Sequence, residues 1–167
     1  MRMKAFLLAL MMALVVPVSL WAKDDPFRST PYPIPRFVSL NADEVNVRAG
    51  PGAKYPIKFV YRKRRQPVEV ILEFDAWRKI RDREGDTGWV HGSLISGRRT
   101  GLVSGHEDII LKKKPKTSAS PIVKLEDGVL VTLKECRELW CLLEIGDYKG
   151  WLQRKMIWGI YEGENFD

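Results

Sequence analysis

Short runs of alternating apolar and polar residues dominate the chain beyond residue 36. Val45 and Val47 flank Asn46, which is the period of two expected of a half-buried strand. The same alternation recurs in PVEVIL (67–72) and in WCLLEI (140–145). Outside the N-terminal segment, no window of eleven or more residues shows a helical stripe. The pattern predicts an all-β protein.

A cluster of glycine and proline interrupts the first of these strands. Gly50, Pro51 and Gly52 follow directly on VNVRA (45–49). They end the strand because glycine admits positive φ and proline lacks a backbone donor. The segment therefore predicts a strand, a sharp loop and a further element. The residues alone leave open whether the loop holds a ligand or only reverses the chain.

The chain also repeats itself at an offset of 62 to 64 residues. Trp77 matches Trp140 at an offset of 63, and Trp89 matches Trp151 at 62. An offset that drifts by one or two residues is what short loop insertions produce, so the pattern indicates two diverged copies of one unit.

We assign the first copy to residues 37–102 and the second to 103–162, with 163–167 as a tail. The extended segments fall in the same order in both copies. Two small β-barrels in tandem are therefore the predicted architecture.

The N-terminus has the layout of a secretory signal. Arg2 and Lys4 precede an apolar run over 5–16, and Ala22 is the small residue at the expected cleavage position. The run is shorter than the roughly 20 apolar residues that span a bilayer, so a retained anchor is the weaker alternative. We expect residues 1–22 to be removed and the mature protein to be periplasmic or secreted.

Residues 23–36 are rich in proline. Four prolines occur in the thirteen residues of DDPFRSTPYPIPR, a composition that suits neither helix nor central strand. We interpret the stretch as an extended spacer. The alternative is that Phe27 and Tyr32 pack back on the folded part.

The charge balance indicates moderate affinity for anions. Removing Arg2 and Lys4 from the 28 basic residues leaves 26 against 21 acidic ones, a net charge of +5. A secreted protein rarely meets nucleic acid, so we predict no nucleic-acid partner and weak, salt-sensitive contact with anionic surfaces. The residues expected to make this contact are Arg62, Lys63, Arg64 and Arg65. The alternative for this run, and for KKKPK (112–116), is a solvated loop.

The cysteines predict a structural bridge. Cys136 and Cys141 are separated by four residues across an expected hairpin, which places them near enough to bond in an oxidising compartment. Two free thiols are the alternative. His91 and His106, the only histidines, have no spacing typical of metal ligands. We therefore predict no enzymatic activity, no metal and no cofactor.

Three segments of the first copy carry a resemblance to a known family. VNVRAGPGAKYPI (45–57), WRKI (77–80) and GDTGWVHGSLIS (85–96) occur in the order seen in the bacterial SH3-like domain. That domain is a five-stranded, partly open barrel of secreted and envelope proteins. The resemblance covers 37–102 and implies the same barrel here.

The second copy departs from the motif. Ile110 replaces Asn46, and Lys114 and Lys116 replace the two glycines of the first loop. The resemblance therefore implies the fold for the second copy, but no site built on the first loop.

The resemblance also implies a ligand groove beside the first loop of the first copy. Alternation places Trp77 on the face opposite Arg78 and Ile80, hence outside the core. The candidate ligand-binding residues are Arg48, Tyr55, Trp77 and Trp89. Alternatively, Arg48 braces the loop by bonding backbone carbonyls, and the neighbouring copy covers the tryptophan.

The predicted function is a non-enzymatic binding module of the cell envelope. Its partner would be an extended ligand such as a peptidoglycan stem peptide or a protein segment. The alternative is a structural adaptor that makes protein–protein contacts through two packed barrels.

Overall fold

A computed structural model of the chain describes residues 29–106 and 108–167. The expected signal peptide, its cleavage site after Ala22 and Phe27 lie outside the described residues. Within the described ranges, no helix is long and apolar enough to cross a bilayer.

Within the described residues, fourteen short strands form two sheets of seven. The strands of the first sheet are β1 (Arg36–Leu40), β2 (Val45–Arg48), β3 (Ile57–Tyr61), β4 (Pro67–Phe74), β5 (Trp77–Arg81), β6 (Thr87–His91) and β7 (Ile95–Ser96). The strands of the second sheet are β8 (Thr100–Val103), β9 (Ile109–Lys112), β10 (Pro121–Leu125), β11 (Leu130–Arg137), β12 (Trp140–Ile145), β13 (Tyr148–Gln153) and β14 (Ile157–Trp158). A short 3-10 turn precedes the last strand of each sheet, at Gly92–Leu94 and Arg154–Met156.

The two sheets have the same topology. The strand order is β3-β2-β6-β5-β4-β1-β7 in the first and β10-β9-β13-β12-β11-β8-β14 in the second. Each strand of one sheet therefore has an equivalent in the other, and the prediction of two tandem all-β barrels is confirmed. Thr100–Leu102, which the repeat pattern placed in the first copy, pair within the second sheet.

Each barrel has its own apolar core, as the alternation predicts. Val45, Val47 and Ile80 are fully buried in the first, and Cys141 and Leu143 in the second. Side chains of one strand point alternately into and out of the barrel. The tryptophans that begin β5 and β12 are accordingly only half-buried.

A buried carboxylate closes the end of β4 in the first barrel. Glu73 has no exposed side-chain surface, and its Oε1 lies 2.7 Å from Arg36 Nη2 and 3.3 Å from Arg78 Nε. The backbone N–H groups of Ser29 and Thr30 donate to Oε2 at 2.9 and 2.8 Å. The described part of the expected spacer is therefore attached to the barrel.

The ion pairs decide the protonation state of Glu73. Burial alone raises the pKa of a carboxyl. Hydrogen bonds from Arg36 and Thr30 outweigh that effect and hold the pKa of Glu73 below its ordinary value of 4.5.

The second barrel has a disulfide at the equivalent place. Cys136 and Cys141 are bonded directly across β11 and β12, so the predicted bridge is confirmed. An offset of 63 maps these residues onto Glu73 and Arg78, which face each other across β4 and β5. The end of the longest hairpin is thus tied by an ion pair in one barrel and by a covalent bond in the other.

A terminal segment covers the tied end in both barrels. In the second barrel, the backbone of Phe166 exchanges two hydrogen bonds with Cys136. In the first, Ser29 and Thr30 bind Glu73 from the N-terminal side. Each end of the described chain thereby becomes part of a barrel.

Aromatic and polar contacts join the two barrels. Phe37 packs edge-to-face against Trp158 and at a tilt against Tyr161, with ring centroids 5.1 and 4.7 Å apart. The Tyr161 hydroxyl donates to Glu69 Oε1 at 2.7 Å, and burial together with this carboxylate raises the pKa of Tyr161.

An exposed ion pair also crosses the junction. Arg83 contacts both carboxylate oxygens of Asp127, at 2.7 and 2.9 Å. Both contacts are made by the same nitrogen, Nη2, and Arg83 Nη1 lies 3.4 Å from the carbonyl oxygen of Val103.

The Glu73 cluster predicts acid sensitivity. Because the folded-state pKa lies below 4.5, the stabilisation is present above that pH and is lost as pH falls through the folded pKa. Glu73→Gln should lower the free energy of unfolding at pH 7 by about 3 kcal/mol, since it leaves two largely buried guanidinium groups without a counter-charge. Denaturant unfolding at pH 7 and pH 3.5 should show a smaller acid loss in the variant than in the wild type. An equal loss would show that other carboxylates dominate.

Reduction of the disulfide should weaken the second barrel. A bridge across so short a loop contributes about 2 kcal/mol by restricting the unfolded chain. Chemical unfolding with and without reductant measures the difference. Protein carrying both Cys136→Ala and Cys141→Ala serves as the control, because its transition should not respond to reductant. An unchanged wild-type transition after complete reduction would contradict this expectation.

Candidate ligand-binding surfaces

The glycines of the first loop make room for a tyrosine ring. A Cβ added at Gly50 would lie 2.6 Å from ring carbons of Tyr55, and one at Gly52 would lie 3.3 Å from the ring. Neither glycine has a positive φ, so neither uses the left-handed backbone that glycine permits. Their role is to let the ring lie on the backbone.

Arg48 braces the same loop. Its Nη1 donates to the carbonyl oxygen of Tyr55 at 2.8 Å, which is the structural role that the sequence left as an alternative. Arg48 is also the direct cross-strand neighbour of Trp89, on β2 and β6. The loop, the arginine and this tryptophan therefore form one connected unit.

Trp77 and Trp89 lie on the same outer face. Trp89 is opposite Lys79 on β5, and Trp77 is opposite His91 on β6, with ring centroids 5.5 Å apart. The buried partners Ile80 and Val90 alternate with them and face the core. All four predicted ligand-binding residues thus belong to the loop and outer face of the first barrel.

A groove also lies on the second barrel, for which the sequence implied no site built on the first loop. It has a volume of about 970 Å³ and runs between the β9–β10 loop, the β11–β12 turn and the C-terminal residues. Its apolar lining includes Leu139, which is 73% exposed, together with Trp140 and Ile160. Lys116 and Glu162 also border it. The groove combines an apolar wall with charges of both signs.

A smaller groove of about 200 Å³ shares Thr117, Trp140 and Gln153 with the larger one. The Trp140 side chain therefore borders both depressions. An indole with space on two sides can contact a ligand over more of its surface than one packed against a flat sheet.

A buried arginine shapes the wall of the large groove. Arg154 is 7% exposed and donates from Nε to the carbonyl of Glu138 at 2.6 Å. Its Nη1 donates to the carbonyls of Tyr161, at 2.9 Å, and Glu164. One guanidinium thus joins the β11–β12 turn to the C-terminal segment.

The first barrel holds its turn in a related way. Arg78 Nη1 donates to the carbonyl of Asp75 at 2.7 Å. Asp75 and Glu138 are equivalent turn residues with φ of 49° and 46°. A guanidinium therefore fixes a left-handed turn residue just before the outer tryptophan in both barrels.

The sequence signal for the second groove was present but incomplete. Trp140 matches Trp77 in the repeat, which marks the position. The C-terminal wall has no counterpart in the motif of the first copy, so pattern alone could not indicate a groove.

The described residues offer no centre for metal binding. No group of three or more histidine, cysteine or acidic side chains converges within 29–106 and 108–167. His91 Nδ1 lies 2.7 Å from Ser93 Oγ, where it caps the following 3-10 turn.

The family match follows the two barrels. The family described as "Bacterial SH3 domain" matches residues 41–97 and 108–159, one segment in each barrel. By its fold the chain is a tandem of two small antiparallel β-barrels. It belongs to the bacterial SH3 domain family.

One curated relative and two solved structures are similar to the chain. The relative, from Bacillus subtilis (strain 168), carries the name "Putative N-acetylmuramoyl-L-alanine amidase YrvJ" and is 28% identical over 129 residues, covering 71% of this chain. The chain spans 24% of the length of that relative.

The solved structures are NlpC1 and NlpC2 from Trichomonas vaginalis. NlpC1 has a TM-score of 0.33 and 9% identity, covering 77% of this chain and 47% of that one. NlpC2 has a TM-score of 0.35 and 10% identity, covering 75% and 48%. Scores this low do not bear on the function of the chain.

The Tyr55 contact generates a direct test. Gly50→Ala should displace the ring, because the new methyl group would lie 2.6 Å from its carbons. We expect a loss of about 1 to 3 kcal/mol in the free energy of unfolding and faster trypsin cleavage after Lys54, the residue before Tyr55. Gly97→Ala is the matched control, since an added Cβ there meets nothing within 4 Å. Identical behaviour of the two variants would remove the packing role of Gly50.

Proposed function

We propose that this chain is a non-enzymatic, extracytoplasmic protein that binds the bacterial cell wall through its two barrels. Bacterial SH3 domains are cell-wall binding modules, and the family assignment rests on both segments. The observation that carries the proposal is the repeated outer tryptophan, Trp77 and Trp140, held at the end of a hairpin in each barrel.

The ligand proposed for the first barrel is an extended peptide with a free carboxylate. Trp77 and Trp89 offer apolar faces on one side of the sheet, and Lys79 lies opposite Trp89. Arg48 and Lys79 supply positive charge for the carboxylate. Tyr55 borders this face from the loop. A peptidoglycan stem peptide has this chemistry, and so does a protein segment.

The second barrel extends the proposal to two sites. The groove beside Trp140 has a volume of about 970 Å³, and its charges of both signs suit a peptide that carries both amine and carboxylate groups. Two weak sites on one chain bind a repetitive polymer more tightly than either alone, because the second contact becomes intramolecular.

A non-enzymatic role fits the chemistry of the described residues. Both cysteines are bonded to each other, so neither provides a thiolate nucleophile. His91 is engaged as a cap and has no acidic partner that would orient it for catalysis. The name of the Bacillus subtilis relative refers to an amidase, but this chain spans only 24% of the length of that protein.

An extracytoplasmic location is supported by two features. The disulfide persists in oxidising compartments, and the N-terminal sequence has the layout of a secretory signal. We propose the periplasm or the cell exterior.

The second candidate function is an adaptor between envelope proteins. The observation that favours it is the junction formed by Phe37, Trp158 and Tyr161, which holds the barrels against each other. Binding to purified sacculi separates the two candidates. Recovery of one protein partner without any wall binding would support the adaptor.

The wall-binding proposal predicts separable losses. Trp77→Ala and Trp140→Ala should each reduce sedimentation with purified sacculi about tenfold or more, because a ligand-facing aromatic gains most of its burial in the complex. Tyr148→Ala, which removes an exposed aromatic away from both sites, is the control.

Thermal melting of the same variants provides the decisive comparison. A ligand-binding tryptophan should leave the melting temperature within a few degrees of wild type. A loss of 3 to 5 kcal/mol, typical of a buried aromatic changed to alanine, would assign the residue to structure and contradict the proposed site.

A further inference from the structure

Another groove, lined mainly by charged residues, lies where the two barrels meet. It has a volume of about 520 Å³ and is lined from the first barrel and the connection by Arg65, Arg98 and Arg99. Lys134 of β11, Glu144 of β12 and Asp167 face it from the second barrel. Four of these six charged side chains are cationic.

Two of the cations have local partners. Arg99 lies 2.7 Å from Glu164, and Lys134 lies 3.0 Å from Glu144. Within the part of the chain that the structure describes, no ion pair is formed by Arg65 or Arg98. Their guanidinium groups are therefore available to a ligand.

The basic run that precedes the groove continues its charge. Lys63 and Arg64 are exposed and directly precede Arg65 in the β3–β4 loop. Arg65 itself is held by its backbone, since its N–H donates to the carbonyl of Leu40 and its own carbonyl accepts from Thr100 Oγ1. The loop is anchored at the point where it enters the groove.

The fold does not require these charges. The equivalent loop of the second barrel carries Glu126 and Asp127, and Asp127 serves the junction by binding Arg83. The same turn is thus acidic in one copy and strongly basic in the other. The basic residues of this loop are therefore not needed to form the barrel.

We propose that the junction groove binds phosphate groups of a polyanionic envelope polymer. Arginine matches phosphate well, because its planar fork donates two parallel hydrogen bonds to neighbouring oxygens. The cations extend from the groove along the loop, which suits a chain of repeated charges better than a single ion. A recessed groove between two convex barrels also suits a polymer strand better than the flat surface of a bilayer.

Long-chain inorganic polyphosphate is the probe for this site, with the full mature chain as the protein. Arg98→Gln and Arg65→Gln should each weaken binding about fivefold at 0.1 M salt and lower the slope of log Kd against log salt by about one. Asp167→Asn should tighten binding, because it removes a lining carboxylate, whereas the other, Glu144, is already bound by Lys134. Lys114→Gln, in the other basic run, is the charge-matched control and should change the affinity little.

Each outcome decides the proposal. Opposite effects of Arg98→Gln and Asp167→Asn, with little effect of Lys114→Gln, support a site in this groove. Equal weakening by all three lysine and arginine variants would show a diffuse charge effect and overturn it. Absence of polyphosphate binding at low salt would also overturn it, as would stronger binding to anionic phospholipid vesicles than to polyphosphate.

Discussion

The cross-strand tie at the end of the longest hairpin is the constraint on which each barrel depends. In the first barrel it is the ion pair of Glu73 with Arg78, and in the second it is the disulfide of Cys136 with Cys141. Each tie joins the two strands on either side of a turn that contains a left-handed residue, Asp75 or Glu138, and leads into the outer tryptophan. Fixing the strand ends fixes the turn, and the turn sets where the tryptophan begins the next strand. The candidate surfaces are therefore positioned by interactions on the core side of the sheet.

The two copies bind the carbonyl oxygen of the turn residue with different arginines. Arg78 supplies the guanidinium for the turn carbonyl in the first barrel, and its neighbour Gly92 leaves space beside that group. In the second barrel Cys141 takes the place of the arginine, and Arg154, equivalent to Gly92, supplies the guanidinium from the adjacent strand end. The bond to the turn is preserved although its donor has moved. The exchange of Arg78 for cysteine is thus matched by the exchange of Gly92 for arginine, so the turn is kept although both positions differ.

Local patterns predicted much of the fold. The alternation gave the strands, the spaced tryptophans gave the repeat, and the hairpin spacing of Cys136 and Cys141 gave the bridge, because all three depend on residues near one another in sequence. The reason for the glycines at 50 and 52 could not be found this way, since it depends on where the Tyr55 ring lies. The groove beside Trp140 was missed because its far wall comes from the chain end through Arg154. Contacts between distant segments carry no period that a sequence displays.

The interleaving of the repeats bears on how such modules can be exchanged between proteins. Residues Thr100–Leu102 continue the first repeat in sequence but pair within the second sheet, and Phe37 of the first barrel contacts Trp158 and Tyr161 of the second. A gene fusion that separated the copies at the sequence boundary would take a strand from one barrel and uncover an aromatic face on the other. The two barrels therefore form one structural unit, and we expect recombination between genes to move both barrels together.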